Sequence, residues 1–185
     1  EKIIGKRSQP HIILADNIGQ VPAIKDALMP YHVESKDMPL EKQLFKDIDT
    51  IFDHLPGNET EQKEKIVILD DIRRIISENN WDSLDSEDRE LLDKLTPPQD
   101  LKVITADDLP EEILRLFIER DGTRGTPVYV YMRDGMSEWN GRDLQKFAAV
   151  VREVKLPGGE VVTSSGQGVI FADMLSYINR EGPII

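Results

Sequence analysis

Apolar positions along the chain alternate between a spacing near 3.6 residues and a spacing of two, the signatures of helix and strand. The run His11-Ile12-Ile13-Leu14-Ala15, stopped by Asp16-Asn17, predicts a buried strand. Val21, Ile24, Ala27 and Leu28 then recur at helical spacing, with Pro22 suited to a first turn and Pro30 ending the pattern. Tyr31 to Glu34 predicts a short second strand. From Pro39 to about residue 118 the period is helical. Leu44, Ile48, Ile51, Phe52 and Leu55 form one stripe, ended by Pro56-Gly57-Asn58. A longer helix is expected from about Glu61 to Glu78, with Ile66, Leu69, Ile72 and Ile76 on one face. Ile68 and Ile75 widen that face, which predicts burial on more than one side.

Asp85 is placed to cap a short helix through Leu91, Leu92 and Leu95, terminated by Pro97-Pro98. A strand-like Leu101 to Ile104 follows. Asp108 is then expected to cap another helix, with Pro110 in its first turn and Glu111 as its capping-box partner. Pro127-Val128-Tyr129-Val130-Tyr131-Met132 has the highest β-branched and aromatic content of any segment and predicts a strand. Asn140 opens the cleanest amphipathic helix, with Leu144, Phe147, Ala148, Val151 and Val154 in phase. After a Pro-Gly-Gly turn, Glu160 to Thr163 predicts a fourth strand. A last helix, about Gly166 to Glu181, sets Ile170, Met174 and Ile178 on one side.

Without its helical middle the order is strand-helix-strand, strand-helix-strand, which predicts an α+β, ferredoxin-like (β-α-β-β-α-β) domain. Residues 9–38 and 119–165 form the expected α/β core of a single domain, 1–185. Residues 39–118 form a mostly helical insertion between strands 2 and 3, and 166–185 the closing helix. Closing so long an insertion costs about 4 kcal/mol of chain entropy, which its own packing must offset.

The composition changes the picture by exclusion. The chain is 39% hydrophobic and 31% charged with a formal net charge of −12, globular but far too acidic for nucleic acid, whose phosphates require clustered Lys and Arg. Trp81 to Glu112 holds eleven Asp and Glu against Arg89, Lys94 and Lys102, which reads as a solvated face. With no cysteine, disulfides, thiolate nucleophiles and Cys-ligated metals are excluded. No apolar run approaches the roughly 20 residues needed to span a bilayer. The chain begins at Glu1-Lys2-Ile3-Ile4 and stops at Gly182-Pro183-Ile184-Ile185 where apolar residues resume, so both ends are expected to be cuts in a larger protein.

No constellation predicts catalysis. His11, His32 and His54 are scattered, and the adjacent carboxylates Asp70-Asp71, Asp107-Asp108 and Glu111-Glu112 point apart on a helix. Asp82 to Asp88 lacks the Gly of a calcium loop and puts Leu84 at a ligand position. Gly166-Gln167-Gly168 has no Lys-Ser/Thr sequel, and Phe171 stands where a dinucleotide fingerprint has its third Gly. Ser164 and Ser165 read as helix caps. Catalytic, cofactor-binding and metal-ligating residues are therefore all expected to be none, with no cofactor and no enzymatic activity. Met136 and Trp139, large apolar side chains in a polar turn, are the candidate contacts to a hydrophobic cargo or a neighbouring domain. Docking onto the domain's own core is the competing reading.

The C-terminal half resembles the second extracytoplasmic loop of MMPL-type exporters in the RND transporter superfamily. The residues that carry this are Thr105-Ala106-Asp107-Asp108-Leu109-Pro110-Glu111, Asp121-Gly122 before Val128 to Tyr131, and Asn140-Gly141-Arg142-Asp143-Leu144 through Phe147. Val161-Val162-Thr163-Ser164-Ser165 leading into Val169-Ile170-Phe171-Ala172-Asp173-Met174 completes the set. It departs from the family pattern where Ser164-Ser165 intervene before Gly166. The resemblance implies a periplasmic, porter-type domain of a proton-driven exporter in a bacterial inner membrane, lining or gating the path of a lipid or other hydrophobic cargo. The partners implied are the transmembrane helices and the other periplasmic loop of the same chain, the cargo, and, as an open option, further copies in a homo-oligomer. The last helix would lead into the next transmembrane span. A periplasmic protein-interaction or scaffold loop is the alternative.

Overall fold

The computed structural model describes residues 9–35, 39–79, 81, 84–137 and 139–182; the expectations for the chain ends at 1–4 and 183–185 lie outside them. It is a mixed α+β chain with small antiparallel sheets, in two compact units, residues 1–51 with 110–185, and residues 52–109.

In the first unit, β1 (His11–Leu14), β2 (Phe45–Asp49) and β3 (Pro127–Met132) form an antiparallel sheet in the order β1-β3-β2. The alternation of β3 decides its faces: Val128, Val130 and Met132 are buried, and Tyr129 and Tyr131 lie on the other side. Ile13 pairs with Val128 and is fully buried, whereas Ile12 and Leu14, expected inside a buried strand, are exposed on the opposite face. Onto the buried face pack α1 (Val21–Leu28), through Val21, Ile24 and Leu28, and α5 (Gly141–Val151), through Leu144, Phe147, Ala148 and Val151. Phe45 meets the Phe147 ring edge-on at 5.6 Å between centroids, which ties β2 to α5. Asn140 caps α5 as its sequence predicts, its side chain accepting from the Arg142 N–H.

The second strand is not where the sequence puts it. Residues 29–31 form a single 3-10 turn and His32 makes only an isolated bridge to Phe45; the strand is Phe45–Asp49, inside the stretch predicted as helix. The reason is a bulge. The register against β3 shifts between Phe45 and Asp47, so the two buried residues, Phe45 and Ile48, stand three apart and imitate a helical period. The assignment of 39–118 to a mostly helical segment is corrected accordingly: its first part belongs to the sheet.

A hairpin and two helices close this unit. β4 (Glu153–Lys155) pairs with β5 (Val161–Thr163) in a hairpin, so Val154 belongs to a strand and not to the preceding helix. Then α6 (Gln167–Glu181) follows, burying Val169 and Ala172. A short α4 (Glu111–Leu114) runs into a 3-10 turn that buries Phe117.

The second unit contains α2 (Glu59–Glu78) and α3 (Ser86–Leu95). Asn58 and Glu61 form a reciprocal capping box at the start of α2, and Asp85 caps α3 by accepting from the Glu87 and Asp88 N–H groups. The expectation that α2 is buried on more than one side is overturned: Gln62 is its buried residue, while Val67, Ile68 and Ile75 are more than half exposed. Residues 101–104 are not a strand. Asp108 does not cap a helix either: its carboxylate reaches back to the Thr105 N–H and hydroxyl across one 3-10 turn, and Pro110 precedes α4.

Candidate functional site

The polar turn after β3 separates the two residues singled out in it. Met136 packs against the hydrophobic core, the competing reading for that residue, while Trp139 is 95% exposed. The turn is fixed by short-range bonds. The Met136 N–H donates to the Arg133 carbonyl, the Asn140 N–H to the Ser137 carbonyl, and the Trp139 N–H to the Ser137 hydroxyl at 3.2 Å. The indole thus stands exposed just before the start of α5.

Trp139 stands at the rim of a cleft of about 190 Å³ lined by Leu144, Phe171, Leu175, Gln167, Gly141 and Gly168, with no charged group. Two glycines create it. A Cβ on Gly141 would come 3.0 Å from Leu175 Cδ1, and one on Gly168 would come 3.3 Å from Leu144 Cδ1. These glycines, each in the first turn of its helix, let α5 and α6 approach closely. At the far end of α5, Arg152 and Asp173 form an ion pair between α5 and α6 on a half-exposed surface.

A second hollow of about 230 Å³ adjoins this cleft, sharing Leu144, Gln167 and Gly168, and is lined on its far side by His11 and Phe147. His11 packs edge-on against Phe147 at 5.8 Å. Its Nε2 lies 2.8 Å from Ser164 Oγ, and Ser164 donates its proton to the Val151 carbonyl. Ser164 Oγ therefore accepts from His11, which places a proton on Nε2. Burial lowers the pKa of this imidazole below its ordinary value. Ser164 is thus a bridge between β1 and the end of α5, not the expected helix cap, and the N-cap of α6 is Gly166 with no side-chain cap.

His32 is structural: its Nδ1 accepts from the Glu34 N–H at 3.2 Å and its Nε2 lies 3.0 Å from the Lys46 carbonyl. Among the described residues, no three His, Cys, Asp or Glu are grouped so as to hold a metal ion. Nor is any described helix long and apolar enough to cross a membrane. Asp82 and Ser83 of the acidic run lie outside the described residues.

Sequence periodicity marked a stripe on α6 but not that it faces outward. Ile170, Phe171, Met174, Tyr177 and Ile178 are all 45–58% exposed and run along its solvent side next to Trp139. The stripe Ile170, Met174, Ile178 is visible in the sequence, but periodicity alone does not say whether a stripe is covered.

Comparison of the chain with known protein families, curated proteins and solved structures returned no match.

Proposed function

We propose that this chain is the periplasmic, porter-type domain of a proton-driven MMPL-type exporter of the RND superfamily, which contacts hydrophobic or lipid cargo and performs no catalysis itself. The observation that carries the reading is the arrangement of the motif-bearing strands. β1 and β2, joined through α1, both flank β3 antiparallel, as a split β-α-β unit requires. β3 and β5 are likewise connected through α5, and although β5 is hydrogen-bonded to β4 in a separate two-stranded hairpin, Ser164 just after it contacts His11 of β1. On this reading the fold is ferredoxin-like, and residues 52–109 are the insertion between strands 2 and 3.

The motif residues from Asn140 to Phe147 and from Val161 to Met174 build the two sides of the neutral cleft beneath Trp139. A cleft walled by Trp139, Leu144, Phe171 and Leu175 suits an acyl chain or a similar apolar group, and its lack of charge disfavours ionic substrates. The proton-coupling groups of such an exporter would lie in membrane helices outside this chain. Reading the parent gene tests the proposal directly: hydrophobic stretches of about 20 residues are expected on both sides of the segment encoding this chain, in one reading frame. A parent protein lacking them ends the proposal.

One observation favours a second reading, a loop that recruits a periplasmic protein. In the 52–109 unit, Val67, Ile68 and Ile75 on α2 and Leu91 and Leu95 on α3 leave apolar surface uncovered.

A further inference from the structure

The exposed stripe of α6 reads nearly the same in both directions from its centre. Three residues on either side of Met174 stand aromatic rings, Phe171 and Tyr177; four residues on either side stand isoleucines, Ile170 and Ile178. All five side chains are about half exposed, and they share one helical face because their offsets are three and four. Such a pattern is what a two-fold contact between identical helices uses, since each residue must meet its counterpart across the axis.

The geometry points to a second copy of this chain as the occupant of that face, docked antiparallel with Met174 on the two-fold axis. Ile170 then meets Ile178 of the second copy, Phe171 meets its Tyr177, and the two Met174 side chains meet each other. Charge follows the same symmetry. Gln167 begins α6 seven residues before Met174, and Glu181 ends it seven residues after. The first turn of α6 has no acidic residue and no side-chain cap on its N–H groups. Antiparallel pairing brings the Glu181 carboxylate of each copy to that uncapped, partially positive helix end of the other. Trp139, which lines the cleft with Phe171, adds an exposed aromatic ring at each edge of the contact, where such residues carry binding energy. One helix face with a flanking indole is small against the roughly 800 Å² per partner of a standard interface, so the dimer is a reversible one. The inference does not rest on the exporter reading and stands or falls separately from it.

The absence of cysteine from the 185-residue chain allows a clean test. Helices packed 8–10 Å apart, with Cα atoms about 2.3 Å from each axis, bring residues on a two-fold to within about 3.4–5.4 Å, overlapping the Cα range a disulfide spans. M174C is expected to give a disulfide-linked dimer on mild oxidation. I170C alone should remain largely unlinked, whereas I170C mixed with I178C should form the mixed dimer. In sedimentation velocity the unmodified chain should show a concentration-dependent monomer–dimer equilibrium, and M174E should raise its dissociation constant at least tenfold with unchanged circular dichroism. Equal cross-linking of M174C and I170C would overturn the pairing. So would a monomer at every concentration, and so would a monomer that floats with phosphatidylglycerol vesicles through the same stripe, which would assign the face to lipid.

Discussion

His11 joins β1 to the segment that leads into α6. It is largely buried between Phe147 and the Gly166 backbone, and its one proton is committed to Ser164. Burial holds its native pKa below the ordinary value of 6.5, while the unfolded chain titrates near that value. Between the two pKa values the unfolded chain binds a proton that the folded chain does not, so folding is opposed there. The stabilisation is fully present above about pH 6.5 and is lost as the pH falls through the lower native value. His11→Gln retains an N–H donor for Ser164 but does not titrate. The drop in urea midpoint between pH 7.5 and pH 5 should therefore be smaller in the variant than in the unmodified chain. Equal drops would mean that His11 is not the group responsible. Sequence alone marks His11 only as a scattered histidine in a strand, because its partners Phe147 and Ser164 come from distant segments.

Elements were legible where one period dominates, as in β3, α5 and the body of α2, because a long uniform pattern admits one secondary structure. β2 was not legible, since its bulge spaces Phe45 and Ile48 like a helix. Nor was the cleft beneath Trp139: Gly141 and Gly168 are visible as glycines, but their role depends on how α5 crosses α6. α2 shows a related limit. Its apolar stripe predicts burial, whereas the buried anchor is the polar Gln62, which donates to the Gly57 and Ile104 carbonyls and accepts from the Ile104 N–H at 2.8 Å. With Arg73, which donates to the Pro97 carbonyl, Gln62 holds the extended segment 97–104 along α2. The structure therefore makes this amide a clasp. Gln62→Leu fills the space but removes the three hydrogen bonds to Gly57 and Ile104, a cost of about 1–3 kcal/mol. The Ile104 amide should then exchange with solvent much faster in the variant, while that of Val130 in β3 is unchanged. Unaltered Ile104 exchange would show that the clasp does not hold the segment.

For the molecule as a whole, the division between residues 52–109 and the remainder predicts what can be removed. Every strand of the β1-β3-β2 sheet and the whole apolar core of β1, β2, β3, α1, α5 and α6 lie in the first unit, and none of that core comes from residues 52–109. Gln62, Arg73, Asn58 and Asp85 are engaged within their own unit. Replacing 52–109 by about ten Gly and Ser residues leaves a connection with a reach of about 17 Å for a flexible chain. Shortening the loop about six-fold also lowers its closure entropy cost by about 1.6 kcal/mol. The shortened chain should fold, with the amides of Val128 and Val130 still protected against exchange and the Trp139 indole still exposed to quenchers. Loss of that protection would show that the sheet depends on the helical unit. The same variant separates the two functional readings at this scale. A domain that contacts cargo through the Trp139 cleft keeps its binding of apolar ligands when 52–109 is removed, because every residue lining that cleft remains. A scaffold loop that recruits a protein through the uncovered faces of α2 and α3 loses its partner, because Val67, Ile68, Ile75, Leu91 and Leu95 leave with the excised unit.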